Sequence, residues 1–290
     1  MKLNELPPNP ARVLELGMRL SGRVVPQHAR PVVSVITVVY NNVTTLQRCI
    51  DSVVAQQGIA VEYIVIDGTS TDGTLDVIRA NAQHIDYAVS EPDRGIYDAM
   101  NKGISLAQGD YIALINSDDW LEPDGLKVSI DNIIANAAEV SIGFANVWDK
   151  HNKFSHVWKI GNFNARILTS GMSFCHQALI ASRKAYDTVG PFDDSIRISA
   201  DYKWIKKLYL SGLKAVFTEC PVVNFSFDGV AANNRPVWKR ECKALLTEQF
   251  PFLAPEDVSA FLEYVYRDAP LDHDAVENLV MRAGDSPLLL

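Results

Sequence analysis

The chain has 290 residues, and its 27 Lys and Arg side chains against 35 Asp and Glu give a formal net charge of −8. Hydrophobic residues make up 48% and charged residues 21%, a composition that is typical of a folded globular protein and excludes general disorder. The acidic balance argues against a nucleic-acid-binding protein, because such proteins concentrate Lys and Arg on their surface. No apolar run approaches the roughly 18 residues of a membrane span, and the N-terminus lacks an apolar signal core, so we predict a cytoplasmic protein.

Residues 1–30 are predicted to form an N-terminal amphipathic extension. The apolar side chains of Ala11–Leu20 can align along one side of a helix, flanked by Arg12, Arg19 and Arg23. A helix of this kind packs on the rest of the chain or on a partner, or it lies on an anionic membrane surface. The sequence leaves these alternatives open, and a peripheral membrane contact is one of our predictions.

Strands and helices alternate over residues 31–125. The β-branched run Val32–Tyr40 predicts a buried strand, and shorter apolar runs that end at Ile66, Val89 and Ile115 predict three more. Apolar residues at helical spacing lie between consecutive strands. This alternation predicts an α/β fold, with a mostly parallel sheet and helices on both faces.

Polar residues follow each of these four predicted strands. They are Tyr40-Asn41, Asp67, residues 91–95 and Asn116-Ser117-Asp118-Asp119. Because ligands of open parallel sheets bind beyond the carboxyl ends of the strands, we expect these side chains to meet at one ligand site.

Two adjacent carboxylates, Asp118 and Asp119, stand at the end of the fourth predicted strand. Like charges side by side repel each other, and a bound divalent cation would relieve that repulsion. Mg²⁺ and Mn²⁺ take one or two protein carboxylates together with phosphate oxygens and water. The alternative is a turn that begins the next helix, and the pattern alone does not decide between the two.

Three further polar residues are candidate ligand contacts. Asp67 ends an apolar strand, so helix capping does not explain it, and a carboxylate there can accept an N–H from a nucleobase edge. Asp93 lies in an unusual polar stretch after the third strand. Asn101 shares a helix face with Tyr97, one turn earlier.

The second half is less regular, and residues 236–290 are predicted to form a C-terminal helical segment. Elements predicted before it are a hairpin of Val140–Val147 and Phe154–Trp158, a strand over Phe174–Ile180, a helix over Ala200–Leu210, and short strands over Ala215–Thr218 and Val222–Phe227. The four cysteines lie far apart without metal-site spacing, which predicts reduced thiols.

Residues 32–125 resemble the nucleotide-sugar-binding half of a family 2 glycosyltransferase with the GT-A fold. The resemblance is carried by Val33–Asn41, by Asp67 with Ser70–Thr74, by Ala99–Gly103, and by Asn116–Asp119 at the place of the family's D-x-D metal motif. The run Ser90–Gly103 resembles the branch of bacterial exopolysaccharide, O-antigen and colanic-acid-type transferases. It implies a donor-binding half over residues 31–125 and an acceptor-binding half over residues 126–235.

The resemblance also implies roles for individual residues. Thr37, Tyr40 and Asn41 would line the base and ribose site, Asp67 would contact the base, Asp93 and Asn101 would contact the ribose or sugar, Asn116 and Ser117 would be donor contacts, and Asp118 with Asp119 would hold Mn²⁺ or Mg²⁺ on the diphosphate. The sequence departs from the family pattern at Asn116, which replaces the first acid of the metal motif.

Two candidates lie in the second half. Asp201, at the start of a predicted helix, matches the place of the family's catalytic base. An acid in a first helical turn also gains from the helix dipole, which favours the ionised form that a base needs. His176 precedes Gln177, as in the resembled branch, and is expected either to contact phosphate or acceptor or to be an ordinary core histidine.

The implied activity is that of an inverting, metal-dependent glycosyltransferase. It would move a sugar from a UDP-, GDP- or dTDP-sugar to a glycan or lipid-linked glycan in bacterial surface polysaccharide synthesis, at the inner face of the cell membrane. A nucleotidyltransferase is disfavoured, because Tyr40–Thr45 has neither the glycines nor the basic residue of its phosphate loop. A non-catalytic nucleotide-sugar-binding subunit of a polysaccharide assembly complex remains the alternative, and a homodimer is left open.

Overall fold

The computed structural model describes residues 6–22, 31–160, 163, 172–227, 234–249 and 258–259. Its strands are β1 Leu14–Leu16, β2 Val32–Val39, β3 Ala60–Asp67, β4 Tyr87–Ser90, β5 Tyr111–Asn116, β6 Trp120–Leu121, β7 Val140–Trp148, β8 Phe154–Trp158, β9 Leu179–Ser182 and β10 Ala215–Ser226. Its α-helices are α1 Leu46–Val54, α2 Thr74–Ala80, α3 Ile96–Leu106, α4 Gly125–Ala135, α5 Arg183–Val189, α6 Ala200–Leu210 and α7 Arg235–Gln249.

All of these strands join one sheet in the order β1-β4-β3-β2-β5-β9-β7-β10-β6, with β8 beside β7. Strands β4, β3, β2 and β5 are parallel to their neighbours in this group, as the alternating pattern predicts. In the second half β7 and β10 are parallel, whereas β9 runs antiparallel to both β5 and β7. The predicted α/β fold is confirmed, and the parallel character belongs mainly to its first half.

Helices cover both faces of the sheet. Apolar residues of α1, α2 and α4 pack on one face, and those of α3, α5, α6 and α7 pack on the other. Because strand side chains alternate, Val35 and Val65 point to the first face and Ile36 and Ile64 to the second. All eight residues of β2 are buried, which fits a central strand covered on both sides.

The N-terminal prediction of an amphipathic helix over Ala11–Leu20 is wrong. Leu14–Leu16 form β1, which pairs antiparallel with β4 and satisfies backbone groups of an otherwise open edge. Gly17 then turns the chain at φ +128°, where a Cβ would come 2.5 Å from the Asp86 carbonyl oxygen. Leu14 and Leu16 pack against the core, whereas Val13 and Leu20 are 60% and 56% exposed, and the membrane contact stays a prediction.

Two predictions in the second half also change. Over Phe174–Ile180 the chain makes a 3-10 turn at His176–Ala178, and the strand begins only at Leu179. The two short strands predicted after Leu210 form the single strand β10, whose register shifts at Pro221 because proline donates no backbone hydrogen bond. Helix α6 and the hairpin of β7 and β8 lie where the pattern predicts them.

Helix α7 is the described part of the predicted C-terminal helical segment. Its residues Cys242, Leu245 and Leu246 are buried against the face that also carries α3 and α6. Of the predicted segment beyond residue 249, the structure describes only residues 258–259. Within the described part of the chain, every helix is too short or too polar to cross a membrane. The domain boundaries stay predictions.

Candidate active site

Polar side chains meet at the carboxyl ends of the four parallel strands. Tyr40 follows β2 with its side chain 65% exposed, and Asp93 lies in the loop between β4 and α3. Gly68, after β3, separates them: a Cβ added there would lie 2.5 Å from Asp93 Oδ2 and 3.4 Å from Tyr40 Cδ2. The sequence therefore brings Tyr40, Gly68 and Asp93 together at one place on this edge.

Asp67 is the innermost acid of this edge and is fully buried. Its Oδ2 accepts hydrogen bonds from the backbone N–H of Ser70, at 2.9 Å, and from the Ser90 hydroxyl, at 2.6 Å. Its Oδ1 has no hydrogen-bond partner in the described part of the chain. A buried carboxylate oxygen without a donor is costly, so this oxygen is suited to accept an N–H or O–H from a ligand.

Asn41 and Asp93 shape the loops around Asp67. Asn41 has a positive φ of 48°, and its Oδ1 accepts the backbone N–H of Thr71 at 2.8 Å. Asp93 Oδ1 accepts the backbone N–H of Gly95 at 2.9 Å. Burial raises the pKa of Asp93, while that bond and the nearby Lys102 oppose the shift. Asn41 thus holds the loop after β3, while Asp93 carries a carboxylate at the edge.

The acid pair after β5 has one buried and one part-exposed member. Asp119 is buried, and its Oδ1 accepts the Ser226 backbone N–H at 2.8 Å. Its Oδ2, and Asn116 Oδ1 nearby in sequence, have no hydrogen-bond partner among the described residues. Burial, and then the charge of Asp118, raise the pKa of Asp119 well above its usual range, while Arg48 opposes this.

Arg48 and Ser117 hold the loop that carries the acid pair. The Arg48 guanidinium donates to the Asp118 carbonyl oxygen at 3.2 Å and lies 3.6 Å from the centre of the Trp120 ring. The Ser117 hydroxyl accepts a hydrogen bond from Asn42 Nδ2 at 2.9 Å. Ser117 is buried, so it holds this loop from its interior side.

The acid pair fits a cation that a phosphate-bearing ligand also coordinates. Among the residues that the structure describes, no group of three or more His, Cys, Asp or Glu side chains could hold a metal ion by itself. Asp118 and Asp119 supply two carboxylates, and Mg²⁺ or Mn²⁺ bound to phosphate takes one or two of them. Together, Tyr40, Asp67, Asp93, Asp118 and Asp119 form what we term the strand-end cluster.

A second group of polar residues, the helix-start cluster, consists of Tyr97, His176 and Asp201. Asp201 lies in the first turn of α6, where its Oδ1 accepts the Tyr202 backbone N–H at 2.8 Å and lies 3.0 Å from the Tyr97 hydroxyl. Burial raises the pKa of Asp201, and the nearby His176, followed by these two bonds, limits the rise. The result is a carboxylate held in one orientation and more basic than usual.

His176 is buried beside Asp201. Burial lowers its pKa, so the imidazole is neutral at neutral pH, although Asp201 opposes the shift. Its ring contacts Phe192 edge to face, with ring centres 5.8 Å apart. The structure thus groups His176 with Asp201 rather than with Asp67.

The start of α3 links the two clusters. Asp93 and Tyr97 are four residues apart there, and each belongs to a different cluster. Arg94, between them, forms an ion pair with Asp194 in the loop before α6. The predicted base therefore lies next to the loop that carries a strand-end carboxylate.

Two predicted donor contacts do not reach this edge. Thr37 is fully buried, with its hydroxyl oxygen 3.1 Å from that of Tyr63 and 3.6 Å from Cys49 Sγ, so it faces α1. Asn101 Nδ2 donates to the Phe192 carbonyl oxygen, and its Oδ1 accepts the Phe192 backbone N–H, both at 2.9 Å. Both polar atoms of Asn101 are thus engaged in holding the loop before α6.

Tyr97 is a functional candidate that sequence reasoning did not assign. The spacing placed it on one helix face with Asn101, and the structure shows that this face meets the loop before α6. A tyrosine in an amphipathic helix is usually a core residue, and Tyr97 is indeed buried. Only the position of Asp201 distinguishes its hydroxyl as part of a site.

Comparison with known proteins assigns the family. The model of the family described as glycosyl transferase family 2 matches residues 34–189, more than half of the chain. The chain belongs to this family. The matched segment contains the strand-end cluster, Tyr97 and His176, and it ends before α6 and Asp201.

Two curated relatives have related names. A PGL/p-HBAD biosynthesis glycosyltransferase of Mycobacterium bovis is 29% identical over 177 residues, which are 60% of this chain and 68% of the relative. A chondroitin synthase of Pasteurella multocida is 31% identical over 186 residues, which are 62% of this chain and 19% of that enzyme.

Solved structures share the fold. TarS 1–349 of S. aureus in complex with UDP-GlcNAc superposes with a TM-score of 0.62 at 15% identity, covering 81% of this chain and 71% of TarS 1–349. The mannosyltransferase PcManGT of Pyrobaculum calidifontis, in complex with GDP-Man and Mn²⁺, gives a TM-score of 0.58 at 16% identity, covering 89% and 81%. Against a longer TarS chain, the match spans 42% of that chain. The predicted GT-A fold is thereby confirmed.

Proposed function

We propose that this family 2 glycosyltransferase moves a sugar, with inversion, from a nucleoside diphosphate sugar to an acceptor hydroxyl. The observation that carries the proposal is the junction at the start of α3. There, carboxylates suited to a nucleotide and a cation lie on one side, and a basic carboxylate, Asp201, lies on the other. An enzyme for direct sugar transfer needs these two functions next to each other.

The strand-end cluster would hold the nucleotide. Asp67 Oδ1, buried and without a partner among the described residues, would accept an N–H of the base. The exposed ring of Tyr40 would stack beside the base, and Asp93 would bind hydroxyls of the ribose or sugar. TarS 1–349 with UDP-GlcNAc and PcManGT with GDP-Man support a donor of this class.

Asp118, with Asp119 behind it, would hold a divalent cation on the diphosphate. A cation bound there neutralises the charge of a leaving diphosphate. The positive charge of Arg48 interacts with both carboxylates and offsets their mutual repulsion before the donor arrives. The Mn²⁺ in the PcManGT complex supports this assignment, and Mg²⁺ would serve with the same oxygen ligands.

Asp201 would act as the catalytic base. It takes the proton of the acceptor hydroxyl while that oxygen bonds to the anomeric carbon and the bond from this carbon to the diphosphate breaks. A single displacement inverts the anomeric centre and releases the nucleoside diphosphate. Burial, which makes Asp201 more basic, favours proton acceptance.

The acceptor is proposed to be a glycan or a lipid-linked glycan. The relatives named for PGL/p-HBAD biosynthesis and for chondroitin synthesis support polysaccharide or glycolipid assembly as the setting. A location at the inner face of the cell membrane and a homodimer stay predictions.

A donor panel tests the proposed function. UDP-, GDP- and dTDP-sugars would be added to the full chain with and without Mn²⁺, first in a thermal-shift assay and then in an assay of nucleoside diphosphate release. We expect the sugar nucleotides of one nucleobase to raise the melting temperature with Mn²⁺ present. The enzyme should also release the nucleoside diphosphate from that donor, with water or an added sugar as acceptor. Binding without release would favour the non-catalytic subunit instead.

A further inference from the structure

The side chain of Glu241, on α7, binds the loop that leads into α6. Its Oε1 accepts the backbone N–H of Arg197 at 2.9 Å. Its Oε2 accepts the backbone N–H groups of Ile198 and Ser199, at 2.9 and 3.0 Å. One carboxylate from a distant helix thus satisfies three consecutive donors immediately before the helix that carries Asp201.

These bonds hold the turn before α6 rather than cap the first N–H groups of the helix itself. Ser199 is the N-cap residue of α6, and its own side chain makes no capping hydrogen bond. The first N–H groups of a helix and its preceding turn need acceptors, because no earlier residue of the helix can supply them. Glu241 supplies acceptors for the loop from outside, and its negative charge also suits the positive end of the helix dipole.

The same loop determines the surroundings of Asp201. The carbonyl oxygen of Ile198, whose N–H is held by Glu241, accepts a hydrogen bond from the Tyr97 hydroxyl. That hydroxyl lies 3.0 Å from Asp201 Oδ1. A contiguous chain of contacts therefore runs from α7 through Ile198 and Tyr97 to the carboxylate.

Apolar residues dock α7 on the sheet face. Cys242, Leu245 and Leu246 are buried, and they hold the helix on the sheet face through apolar contacts. The contribution of Glu241 lies instead in fixing the 197–199 backbone, two residues before Asp201.

We propose that Glu241 is a positioning residue, which holds the 197–199 backbone so that Asp201 faces the acceptor hydroxyl. The inference rests on the proposed function, since it assigns to Glu241 a role that acts through the base. It extends the working site to α7, which lies outside the segment matched by the family model.

Two substitutions at Glu241 and one control test this role. Glu241→Ala removes all three bonds. We expect the rate of nucleoside diphosphate release at saturating donor to fall about tenfold or more, because small displacements of a catalytic group are costly. Glu241→Gln keeps one carbonyl oxygen for the part-buried Ile198 and Ser199 donors and loses only the exposed Arg197 bond, so its rate should stay within about threefold of wild type. Glu248→Gln, on the same helix with a side chain that is 67% exposed, should match wild type.

Donor affinity separates positioning from general damage. For a positioning residue, Mn²⁺-supported nucleoside diphosphate binding should be unchanged in Glu241→Ala while the release rate falls. An equal loss of binding and release would overturn the proposal, because it would indicate a disordered protein. If the Ala variant does not fold, a Glu241→Gln variant that loses rate as severely as Asp201→Asn would also contradict it, since two of the three bonds remain.

A double-mutant cycle with Asp201→Asn decides whether Glu241 acts through the base. If it does, Glu241→Ala should lower the wild-type rate but change the Asp201→Asn rate by less than about twofold, because coupled sites are non-additive. Equal effects in both backgrounds would overturn the positioning role. A wild-type protein that releases no nucleotide would instead reject the proposed function, so the two failures are distinguishable.

Discussion

The strand-end cluster is built from one recurring feature, whereas the helix-start cluster is built from three unrelated ones. Tyr40 and the acid pair Asp118–Asp119 follow parallel strands, and Asp67 ends one, all at the same edge. Tyr97, His176 and Asp201 come from a helix, a 3-10 turn and another helix, and side-chain contacts bring them together. Regular topology can thus assemble the proposed nucleotide site, while the proposed catalytic base depends on tertiary packing.

Both clusters are supported by segments outside the family match, but in different ways. Arg12, before β1, donates to Glu91 Oε2 at 3.0 Å, and Lys102 Nζ lies 3.1 Å from the same carboxylate. This supports the loop that carries Asp93. Glu241 supports the loop before Asp201 through backbone bonds alone. We therefore expect changes on the first side to alter affinity and changes on the second to alter rate.

The largest affinity effect is expected at Asp118. Asp118→Asn removes one charged ligand of the proposed cation, so Mn²⁺-supported nucleoside diphosphate binding should weaken by about tenfold or more. Titration calorimetry with and without EDTA measures this directly. Asp131→Asn, a surface acid of α4 paired with Lys127, is the matched control and should bind normally. Affinity that is insensitive to EDTA in both wild type and Asp118→Asn would contradict the cation site.

A smaller effect, on rate and its pH dependence, is expected at Tyr97. Asp201 must be ionised to act, so the rate should fall as the pH drops through its raised pKa. The Tyr97 bond lowers the pKa of Asp201, so its loss in Tyr97→Phe should move this acidic limb to higher pH. The maximal rate should drop by about two- to tenfold, the usual worth of one hydrogen bond.

The control for Tyr97→Phe is Tyr209→Phe, on α6 itself. Tyr209 packs against Phe163, with ring centres 5.7 Å apart, so removal of its hydroxyl should leave the pH profile of release unchanged. An acidic limb that is identical in wild type and Tyr97→Phe would separate Tyr97 from the base.

The smallest effect is expected at Arg12. Arg12→Gln removes the part-buried ion pair with Glu91, so donor affinity should fall about two- to fivefold, the range expected for a single modest ion pair. The release rate at saturating donor should not change. Arg79→Gln, which breaks an exposed pair with Asp76, serves as the control. A loss of rate without loss of affinity would show that Arg12 supports the other cluster.

The same contrast explains how far the sequence could be interpreted. Strand β2, helix α6 and the polar strand ends follow from local patterns, because apolar period and chain breaks are local properties. The resemblance implies a base-site role for Thr37, whereas the fold turns its buried hydroxyl toward α1, because a strand pattern does not specify which face meets a helix. The amphipathic N-terminus was wrongly assigned to a helix, because the open edge of β4 lies far away in the sequence.

The partners of the proposed catalytic base, Asp201, could not be predicted for a related reason. The bond between Tyr97 and Asp201 joins residues 104 positions apart, and Glu241 lies 42 to 44 positions from the backbone groups it binds. Nothing in local composition distinguishes Glu241 from the other polar residues of α7. Asn101 was predicted to contact the ligand, and only the fold shows that the Phe192 backbone occupies both of its polar atoms.

The most direct test of the two-cluster account is a crossed measurement of Asp67→Asn and Asp201→Asn. Two quantities are measured on the same folded sample of each variant. They are the affinity for the nucleoside diphosphate that the wild type binds most tightly, and the rate of its release at saturating donor. Ser70 and Ser90 both donate hydrogen bonds to Asp67 Oδ2, so an asparagine would keep its side-chain oxygen at that position. Its amide nitrogen would then face the N–H of the nucleobase in the proposed complex.

We predict that Asp67→Asn loses affinity by about tenfold or more, through the desolvation of unpaired donors, and keeps most of its rate at saturation. Asp201→Asn should keep its affinity and lose about 10²- to 10⁴-fold in rate, the usual share of general base catalysis. If Asp201→Asn retains more than about a tenth of the wild-type rate, or if both variants lose affinity equally, the division of labour between the clusters is contradicted.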